Sequence, residues 1–307
     1  MKITSKGEGI MKRAYLKYIF SLLLFGTNGV VASYISLSSY EIVFFRTLIG
    51  SLMLVSIFIF SKREMSFKKY KKQTFFAVLS GVAMGLSWMF VYEAYKQIGV
   101  SIASLVFYCG PIIVMIVSPI LFKEKLTLPK ILGFITVFCG VLLVNGRISH
   151  GGNIKFGLFC GAMAALMYSL MIIFNKRAKD IVGLEISTIQ LVAGFVVVAV
   201  FIGFKQGFVI DVPASSWIPI FILGLVNTAI GCYLYFSSIS DLPVQTVAVC
   251  GYLEPLSAVV FSVLILGEVM SLPQIIGAVL IICGAIFAEC SDMIFAKNKK
   301  IIHVENK

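Results

Sequence analysis

A thirty-residue segment occurs twice in the sequence, as PIIVMIVSPILFKEKLTLPKILGFITVFCG at residues 111–140 and as PLSAVVFSVLILGEVMSLPQIIGAVLIICG at residues 255–284. The two copies align without a gap at an offset of 144 residues. The identical positions are Pro111/Pro255, Ser118/Ser262, Glu124/Glu268, Leu128/Leu272, Pro129/Pro273, Ile131/Ile275, Gly133/Gly277, Cys139/Cys283 and Gly140/Gly284. Apolar composition alone does not place proline, glutamate and paired glycines at fixed offsets. We therefore infer that the chain arose by duplication of one unit.

The composition around this repeat is that of a membrane protein. Of the 307 residues, 59% are hydrophobic and 13% are charged, and the mean hydropathy is +1.00. Soluble domains carry about 45–50% apolar and about 25% charged residues. Disordered, collagen-like and coiled-coil chains need polar or periodic compositions that this chain lacks. The sequence therefore predicts an all-α polytopic membrane protein without a second, soluble domain.

Ten candidate transmembrane helices follow when the chain is divided at charges, prolines, glycines and polar runs, since one span takes about 20 apolar residues. Their predicted ranges are 15–36, 41–60, 74–96, 101–122, 128–146, 155–175, 184–204, 216–237, 244–266 and 271–290. Each repeated unit then contains five spans. Because five is odd, the second unit must enter the membrane in the opposite orientation. The predicted fold is ten transmembrane helices arranged as two inverted five-helix repeats, an arrangement found in many secondary transporters.

Positive charge predicts the sides of the membrane, because loops rich in lysine and arginine stay cytoplasmic. Of the 26 Lys and Arg residues, 21 fall in the two tails and in alternate loops, four fall on the other side, and Arg46 lies within the second span. The basic start and Val30-Val31-Ala32 also resemble a signal peptide, but the many later spans favour an uncleaved first helix. We expect a multi-pass protein of the cell membrane with a cytoplasmic N-terminal tail (1–14), a first repeat (15–146), a connecting loop (147–154), a second repeat (155–290) and a cytoplasmic C-terminal tail (291–307).

The net charge of +12 has the same explanation. The positive-inside bias accounts for it without a nucleic acid, so no nucleic-acid partner is expected. Anionic lipids on the cytoplasmic side are expected to bind the lysines and arginines. The seven cysteines lie in apolar runs without a CxxC pair, which indicates small buried side chains rather than a disulfide framework.

Two other classes of protein need motifs that the sequence lacks. An ATP-driven pump needs a phosphate-binding loop ending in GK[ST], and an intramembrane enzyme needs a nucleophile with a base, a metal pair or an aspartate dyad in the bundle. The two histidines, His150 and His303, lie in a predicted loop and in the C-terminal tail. We therefore expect no enzyme, no cofactor and no metal site. A passive facilitator or a scaffold built on the same bundle stays open.

The sequence resembles the EamA-type members of the drug/metabolite transporter superfamily. The resemblance covers nearly the whole chain, and its residues are Gly26-Thr27-Asn28 in the first span, Arg46 in the second, the proline, glutamate and glycine positions of the repeat, and Tyr252-Leu253-Glu254-Pro255. It implies a central cavity lined mainly by spans 1, 3, 4, 6, 8 and 9, and export without ATP hydrolysis. It does not specify the substrate, because similar members export amino acids, other small metabolites or drugs. One departure is Tyr168, where the family frequently has tryptophan.

Polar and aromatic residues on the implied cavity helices are the candidate substrate contacts. They are Asn28, Trp88, Tyr92, Tyr108, Tyr168, Asn227, Tyr235 and Glu254. Trp88 and Tyr92 share a helix face through their i, i+4 spacing, and so do Asn227, Gly231 and Tyr235. Two matching stripes are therefore expected to face each other. The alternative is that the tyrosines only fill the bundle or lie at the membrane interfaces.

Glu254 is the candidate for proton coupling or cation binding, because it lies about ten residues into the ninth predicted span. The equivalent position of the first repeat is Gly110, so the fold does not require an acid there. Pro255 cannot donate to the carbonyl of Gly251, and a polar notch is expected at this depth. The alternative is a protonated Glu254 that only bonds a neighbouring helix.

These patterns predict a secondary transporter that exports a small metabolite, such as an amino acid, by alternating access, with proton coupling as a further possibility. The alternatives are a passive facilitator of small solutes and an intramembrane enzyme. The expected partners are a small-molecule substrate and the lipid bilayer, and the expected state is a monomer or a weak homodimer. For Arg46 a structural role is favoured, either by snorkelling to the interface or by pairing with Glu41.

Overall fold

The computed structural model describes residues 5–61, 66–144, 153–267, 271–284 and 286–287. These residues form helices joined by short connections, and no strand occurs among them. The helices are α1 (Ser5–Gly26), α2 (Asn28–Ala32), α3 (Ser39–Phe60), α4 (Ser66–Lys69), α5 (Lys71–Phe107), α6 (Gly110–Phe122), α7 (Leu128–Val144), α8 (Ile154–Arg177), α9 (Leu184–Lys205), a 3-10 turn (Ala214–Ser216), α10 (Trp217–Ile222), a π-helix (Leu223–Ile230), α11 (Gly231–Ile239), α12 (Val244–Cys250), α13 (Leu253–Leu266) and α14 (Leu272–Gly284).

Seven helical segments among the described residues are long and apolar enough to cross a membrane, and three shorter apolar helices accompany them. The seven are Gly9–Ala32, Ser39–Phe60, Lys71–Ile98, Ile154–Arg177, Leu184–Lys205, Ala214–Ile239 and Val244–Ile265. The three are Gly110–Phe122, Leu128–Leu143 and Leu272–Gly284. The all-α class is thus confirmed, and the count of ten spans stays a prediction.

The chain turns back on itself within α5. Successive residues of α5 and α6 contact α8 as the pairs Ser80/Met171, Ser87/Ala164, Ile98/Gly157, Val106/Gly161 and Gly110/Ser169. Because the α8 residue numbers first fall and then rise along these pairs, the direction of the chain reverses between residues 98 and 106. The predicted boundary between residues 96 and 101 is therefore a reversal within helical backbone.

Glycines from the repeated segment bring α7 and α14 into close contact. A Cβ atom added to Gly140 would lie 2.6 Å from the carbonyl oxygen of Gly277, and one added to Gly284 would lie 2.7 Å from that of Gly133. The two contacts are reciprocal, since each joins the second glycine of one copy to the first glycine of the other. Small residues allow apolar helices to approach this closely in membranes. The duplicated segments therefore pack against each other through equivalent positions.

Candidate functional site

A cavity of about 480 Å³ lies among helices from both halves of the chain, and we call it the central cavity. Its walls come from α1, α2, α3, α5, α8, α11 and α13, together with Tyr108. Most of the lining side chains are apolar or aromatic, and two are charged, Arg46 and Glu254. A mostly apolar cavity with a few convergent polar groups is typical of small-ligand sites. The central cavity is therefore the candidate functional site.

Two helices are interrupted at this cavity. Two residues separate the end of α5 from the start of α6, and two separate the end of α12 from the start of α13. Pro111 is the second residue of α6 and Pro255 is the third residue of α13. A proline nitrogen cannot donate a helical hydrogen bond. At the second interruption the carbonyl of Gly251 accepts the N–H of Glu254 at 3.1 Å. The carbonyl of Gly251 was expected to lack a helical partner because Pro255 has no N–H. It accepts instead from Glu254, which is one residue before the usual helical donor.

The two interruptions contact each other through tyrosines 144 residues apart. The hydroxyl of Tyr252 donates to the backbone carbonyl of Tyr108 at 2.7 Å, and their ring centroids lie 6.1 Å apart. Tyr252 is fully buried, whereas Tyr108 lines the central cavity. Interrupted helices that meet at a repeat interface are the setting of substrate sites in many transporters.

Seven of the eight predicted substrate contacts line the central cavity. They are Asn28, Trp88, Tyr92, Tyr108, Tyr168, Tyr235 and Glu254. Trp88 and Tyr92 belong to α5 and Tyr235 belongs to α11, so residues of both predicted stripes reach the same space. Their contact with a substrate stays a prediction.

Asn227 is the exception, because it does not line the central cavity. It is only 1% exposed, and its Nδ2 donates to the carbonyl of Leu24 at 2.8 Å, to Thr27 Oγ1 at 2.7 Å and to Asn28 Oδ1 at 3.1 Å. These contacts hold the joint between α1 and α2 and orient the side chain of Asn28. The i, i+4 spacing identified a shared helix face but not which of its residues would reach the cavity.

Aromatic side chains fix the orientation of Tyr235. Its ring centroid lies 5.4 Å from that of Tyr18 and 5.6 Å from that of Phe25. Its hydroxyl lies 3.4 Å from the hydroxyl of Tyr168, which is on α8. Packed aromatic rings of this kind prefer tilted or edge-on arrangements. Tyr168 therefore joins a hydrogen-bonded aromatic wall although it stands where a tryptophan is frequent in the family that the sequence resembles.

Arg46 lines the cavity although it was assigned a structural role from the sequence. Its side chain is 4% exposed, and its Nε donates to Thr228 Oγ1 at 2.9 Å. Its guanidinium lies over the ring of Trp88, 4.6 Å from the centroid. The hydroxyl of Thr228 in turn donates to the carbonyl of Leu223 at 2.8 Å, five residues earlier in the π-helix. Within the described part of the chain, Nη2 of Arg46 is buried and has no hydrogen-bond partner.

The expected pairing of Arg46 with Glu41 is wrong, and so is the expected snorkelling. Glu41 Oε2 accepts the N–H of Ser38 at 2.8 Å, and its Oε1 accepts Nε2 of Gln206 at 2.8 Å. Ser38 and Glu41 form a capping box at the start of α3. A serine followed three residues later by glutamate before an apolar run is the sequence signature of that motif. This signal could have separated Glu41 from Arg46 in advance.

The guanidinium of Arg46 is held in place but not fully satisfied. A buried donor without a partner costs about 1–3 kcal/mol, and more when the group is charged. Stacking on an aromatic face returns about 0.5–2 kcal/mol of this. The guanidinium therefore keeps an unused donor on a side chain that lines the central cavity.

Helix α12 is packed tightly where it precedes the interruption. All seven of its residues, Val244–Cys250, are buried. The hydroxyl of Tyr18 on α1 donates to the carbonyl of Val247 at 2.8 Å, and Nε2 of Gln245 donates to Ser118 Oγ on α6 at 3.1 Å. These contacts join α12 to α1 and to α6.

Two charged side chains stabilise the connection into α12. Glu124, at the end of α6, accepts the N–H of Val244 at 2.8 Å and that of Gln245 at 3.2 Å. Lys176 donates to the carbonyls of Ser240 and Leu242. A carboxylate at a helix N-terminus satisfies otherwise unpaired N–H groups. Glu124 thus caps the start of α12, while its repeat counterpart Glu268 lies outside the described residues.

A second cavity, of about 510 Å³, lies between α3, α5 and α9. Its walls are almost wholly apolar, and its one carboxylate is that of Glu185. That carboxylate accepts the N–H of Phe67 at 2.7 Å, so it bonds the backbone in the first turn of α4. The charged groups that could recognise a polar solute are in the central cavity.

The sequence also matches known proteins. The model of the EamA-like transporter family matches the chain twice, at residues 12–146 and 155–289. The uncharacterized transporter YxxF of Bacillus subtilis (strain 168) is 26% identical over 274 residues, which cover 88% of this chain and 88% of YxxF. The uncharacterized transporter YoaV of the same strain is 24% identical over 249 residues, which cover 78% of this chain and 83% of YoaV. A solved crystal structure superposes with a TM-score of 0.78 at 18% identity and covers 90% of this chain and 97% of its own, which shows a shared fold.

Proposed function

The chain belongs to the EamA-like transporter family, and on this premise we propose that it is a secondary transporter that exports a small metabolite, such as an amino acid, by alternating access. The central cavity carries the proposal. It lies at two helix interruptions and holds one buried cation and one carboxylate among aromatic side chains. An amino acid offers groups for all three: a carboxylate, an ammonium and an apolar side chain.

The proposed topology is ten spans in two inverted repeats, with both termini cytoplasmic in the cell membrane. The seven long and three short apolar helices among the described residues provide enough segments for it. The start of α12 and the ends of α6 and α8 would all be cytoplasmic, and they meet through Glu124 and Lys176. The connections near Ser36 and Ser216 would both be external, and they share a hydrogen bond of 3.1 Å.

Reporter fusions test this topology. We expect a reporter within residues 64–72 to report the cytoplasm and one within residues 148–152 to report the outside, because the first stretch is rich in lysine and an odd number of spans separates the two. Alkaline phosphatase and green fluorescent protein give opposite signals on the two sides. Reporters that placed both stretches on one side would overturn the topology and the inverted-repeat arrangement with it.

Glu254 is the proposed coupling group. It lines the central cavity directly after the second interruption, so a proton and a cationic group of the substrate could compete for the same carboxylate. An acid at this depth costs about 2.5–3.5 kcal/mol on insertion scales. A functional role explains why this cost is retained.

Uptake into proteoliposomes tests the proposed function. We expect the purified full-length protein to accumulate at least one member of a metabolite panel above its external concentration when a pH gradient is imposed, because an antiporter converts the proton gradient into a solute gradient. Protein-free liposomes are the control. Entry that stops at equal concentrations on both sides would indicate a passive facilitator, and a panel without any uptake would contradict the proposal.

A further inference from the structure

Arg46 lines the central cavity and carries a charged donor, Nη2, that has no hydrogen-bond partner among the described residues. The residue is on α3, whose cavity-lining contribution is this side chain alone among the described residues. We propose that Arg46 binds a carboxylate group of the transported solute, so that the substrates of this protein are carboxylate-bearing metabolites with an apolar body. The inference rests on the proposed function and names the substrate class of that same cavity.

The guanidinium of Arg46 keeps donor capacity that the structure does not use, at Nη2 at least. Nε is committed to Thr228, whose own hydrogen is committed to the carbonyl of Leu223. The face of the guanidinium is covered by Trp88. Nη2 of Arg46 has no hydrogen-bond partner among the described residues, and the side chain is 96% buried and lines the cavity. An arginine held at one edge and one face is preorganised to bond an oxygen anion at the remaining edge.

The partner of Arg46 Nε, Thr228, lies in the π-helix. In an α-helix a threonine hydroxyl bonds the carbonyl three or four residues earlier, but Thr228 reaches Leu223, five residues earlier. Its oxygen remains free to accept Nε of Arg46 at 2.9 Å. Isolated π-helical turns occur frequently at functional sites. Thr228 of the π-helix thus holds the cationic side chain of Arg46 in a mostly apolar cavity wall.

The rest of the cavity selects among anions. Glu254 lines the same space, and its negative charge would oppose a doubly charged phosphate or sulfate. Phe25, Met84 and Phe107 give the walls an apolar character that suits a hydrocarbon body. A singly charged carboxylate with an apolar substituent matches both conditions. An ammonium group on the same solute is compatible as well, because Glu254 can accept from it.

Acid and amide pairs test this inference without a mutation. Binding to the detergent-purified full chain would be measured by thermal stabilisation with the twenty proteinogenic amino acids, their amides, and 3-phenylpropionate with its amide. We expect each solute that binds to carry the carboxylate, and its amide to bind at least about tenfold more weakly, as for loss of a hydrogen bond to a charged group. Amides that bind as tightly as their acids would overturn the proposal.

Arg46→Gln and Arg46→Lys then assign the effect to this side chain. We expect Arg46→Gln to reduce the preference for acid over amide to near unity, and Arg46→Lys to keep part of it, because lysine retains the charge but not the fork of donors. Arg177→Gln, at the exposed end of α8, is the matched control and should keep the full preference. An unchanged preference in folded Arg46→Gln contradicts the proposal. If Arg46→Gln does not fold, the decision rests on Arg46→Lys and on the acid and amide pairs.

The outcomes separate this inference from the proposed function. Acid-selective binding that depends on Arg46, combined with no uptake into proteoliposomes, would contradict transport and leave the assignment of Arg46 standing. Gradient-driven uptake of solutes that lack any carboxylate would support transport and contradict the assignment of Arg46. A panel in which only amines or uncharged solutes bind would overturn the role of Arg46.

Discussion

Glu254→Gln is expected to abolish the accumulation of substrate driven by a pH gradient while leaving exchange of substrate across the membrane intact. Glutamine keeps the size and hydrogen bonding of the side chain but cannot ionise. For one proton exchanged per solute, a gradient of one pH unit supports about tenfold accumulation, because 1.36 kcal/mol corresponds to a factor of ten. The variant should fall from this ratio to about one. The measurement is uptake into proteoliposomes with and without the gradient, beside counterflow exchange at equal pH.

Glu93→Gln is the matched control for this experiment. Glu93 accepts Nε2 of Gln97 at 2.8 Å within α5 and does not line the central cavity, so its replacement should leave the accumulation ratio unchanged. The position equivalent to Glu254 in the first repeat is Gly110, where an added Cβ would lie 2.8 Å from Tyr168. The interruption therefore forms without an acid. If Glu254→Gln still accumulates substrate with the wild-type dependence on the gradient, Glu254 is a hydrogen-bonding residue and not the coupling group.

Gly81→Ala is expected to be among the most destabilising single methyl additions in the protein. A Cβ at this position would lie 2.2 Å from the carbonyl oxygen and 2.7 Å from Cα of Gln190, which belong to the backbone of α9. Backbone atoms cannot rotate away as a side chain can, so α5 and α9 must separate. Overpacking a core costs about 1–3 kcal/mol, and separation would also strain the bond from Gln190 Nε2 to Ser80 Oγ, now 2.7 Å. We expect Gly81→Ala to lower the free energy of unfolding by about 3 kcal/mol or more.

The same substitution at Gly9 provides the comparison. Gly9 is exposed on α1, and an added Cβ would meet nothing within 4 Å. Alanine is the better helix former, so Gly9→Ala should be neutral or slightly stabilising. The melting temperature of both variants can be followed by fluorescence-detected size-exclusion chromatography after heating. Equal melting temperatures would show that α5 and α9 are less tightly packed than their backbone distances require.

Much of the fold could be predicted because its determinants are local or repeated. Ten apolar segments, the duplication around Pro111 and Pro255, and the weakened helix at Gly251 are all properties of the sequence itself. The aromatic residues of the cavity were predicted from the helices that the family resemblance implies, and i, i+4 spacing added support for Trp88, Tyr92 and Tyr235. Such features depend on period and composition, which a sequence carries directly.

The role of Arg46 could not be predicted, because it depends on contacts between distant segments. Its partner Thr228 is 182 residues away and lies in a π-helix. Asn227 was expected to line the cavity and does not. Its side chain is polar and lies on the expected helix face, but its amide bonds the joint between α1 and α2. Both outcomes are decided by which donor finds which acceptor after the helices pack.

The tyrosine contact between the two interruptions is one-sided, since the hydroxyl of Tyr252 donates the hydrogen bond and the carbonyl of Tyr108 accepts it. When inverted repeats exchange conformations, each takes the shape that the other had. The mirror form of the contact, in which the hydroxyl of Tyr108 donates to the carbonyl of Tyr252, then belongs to the opposite state. A transport cycle built on this fold would alternate between these two forms of one hydrogen bond. Which of the two tyrosines donates would then indicate the side to which the protein is open.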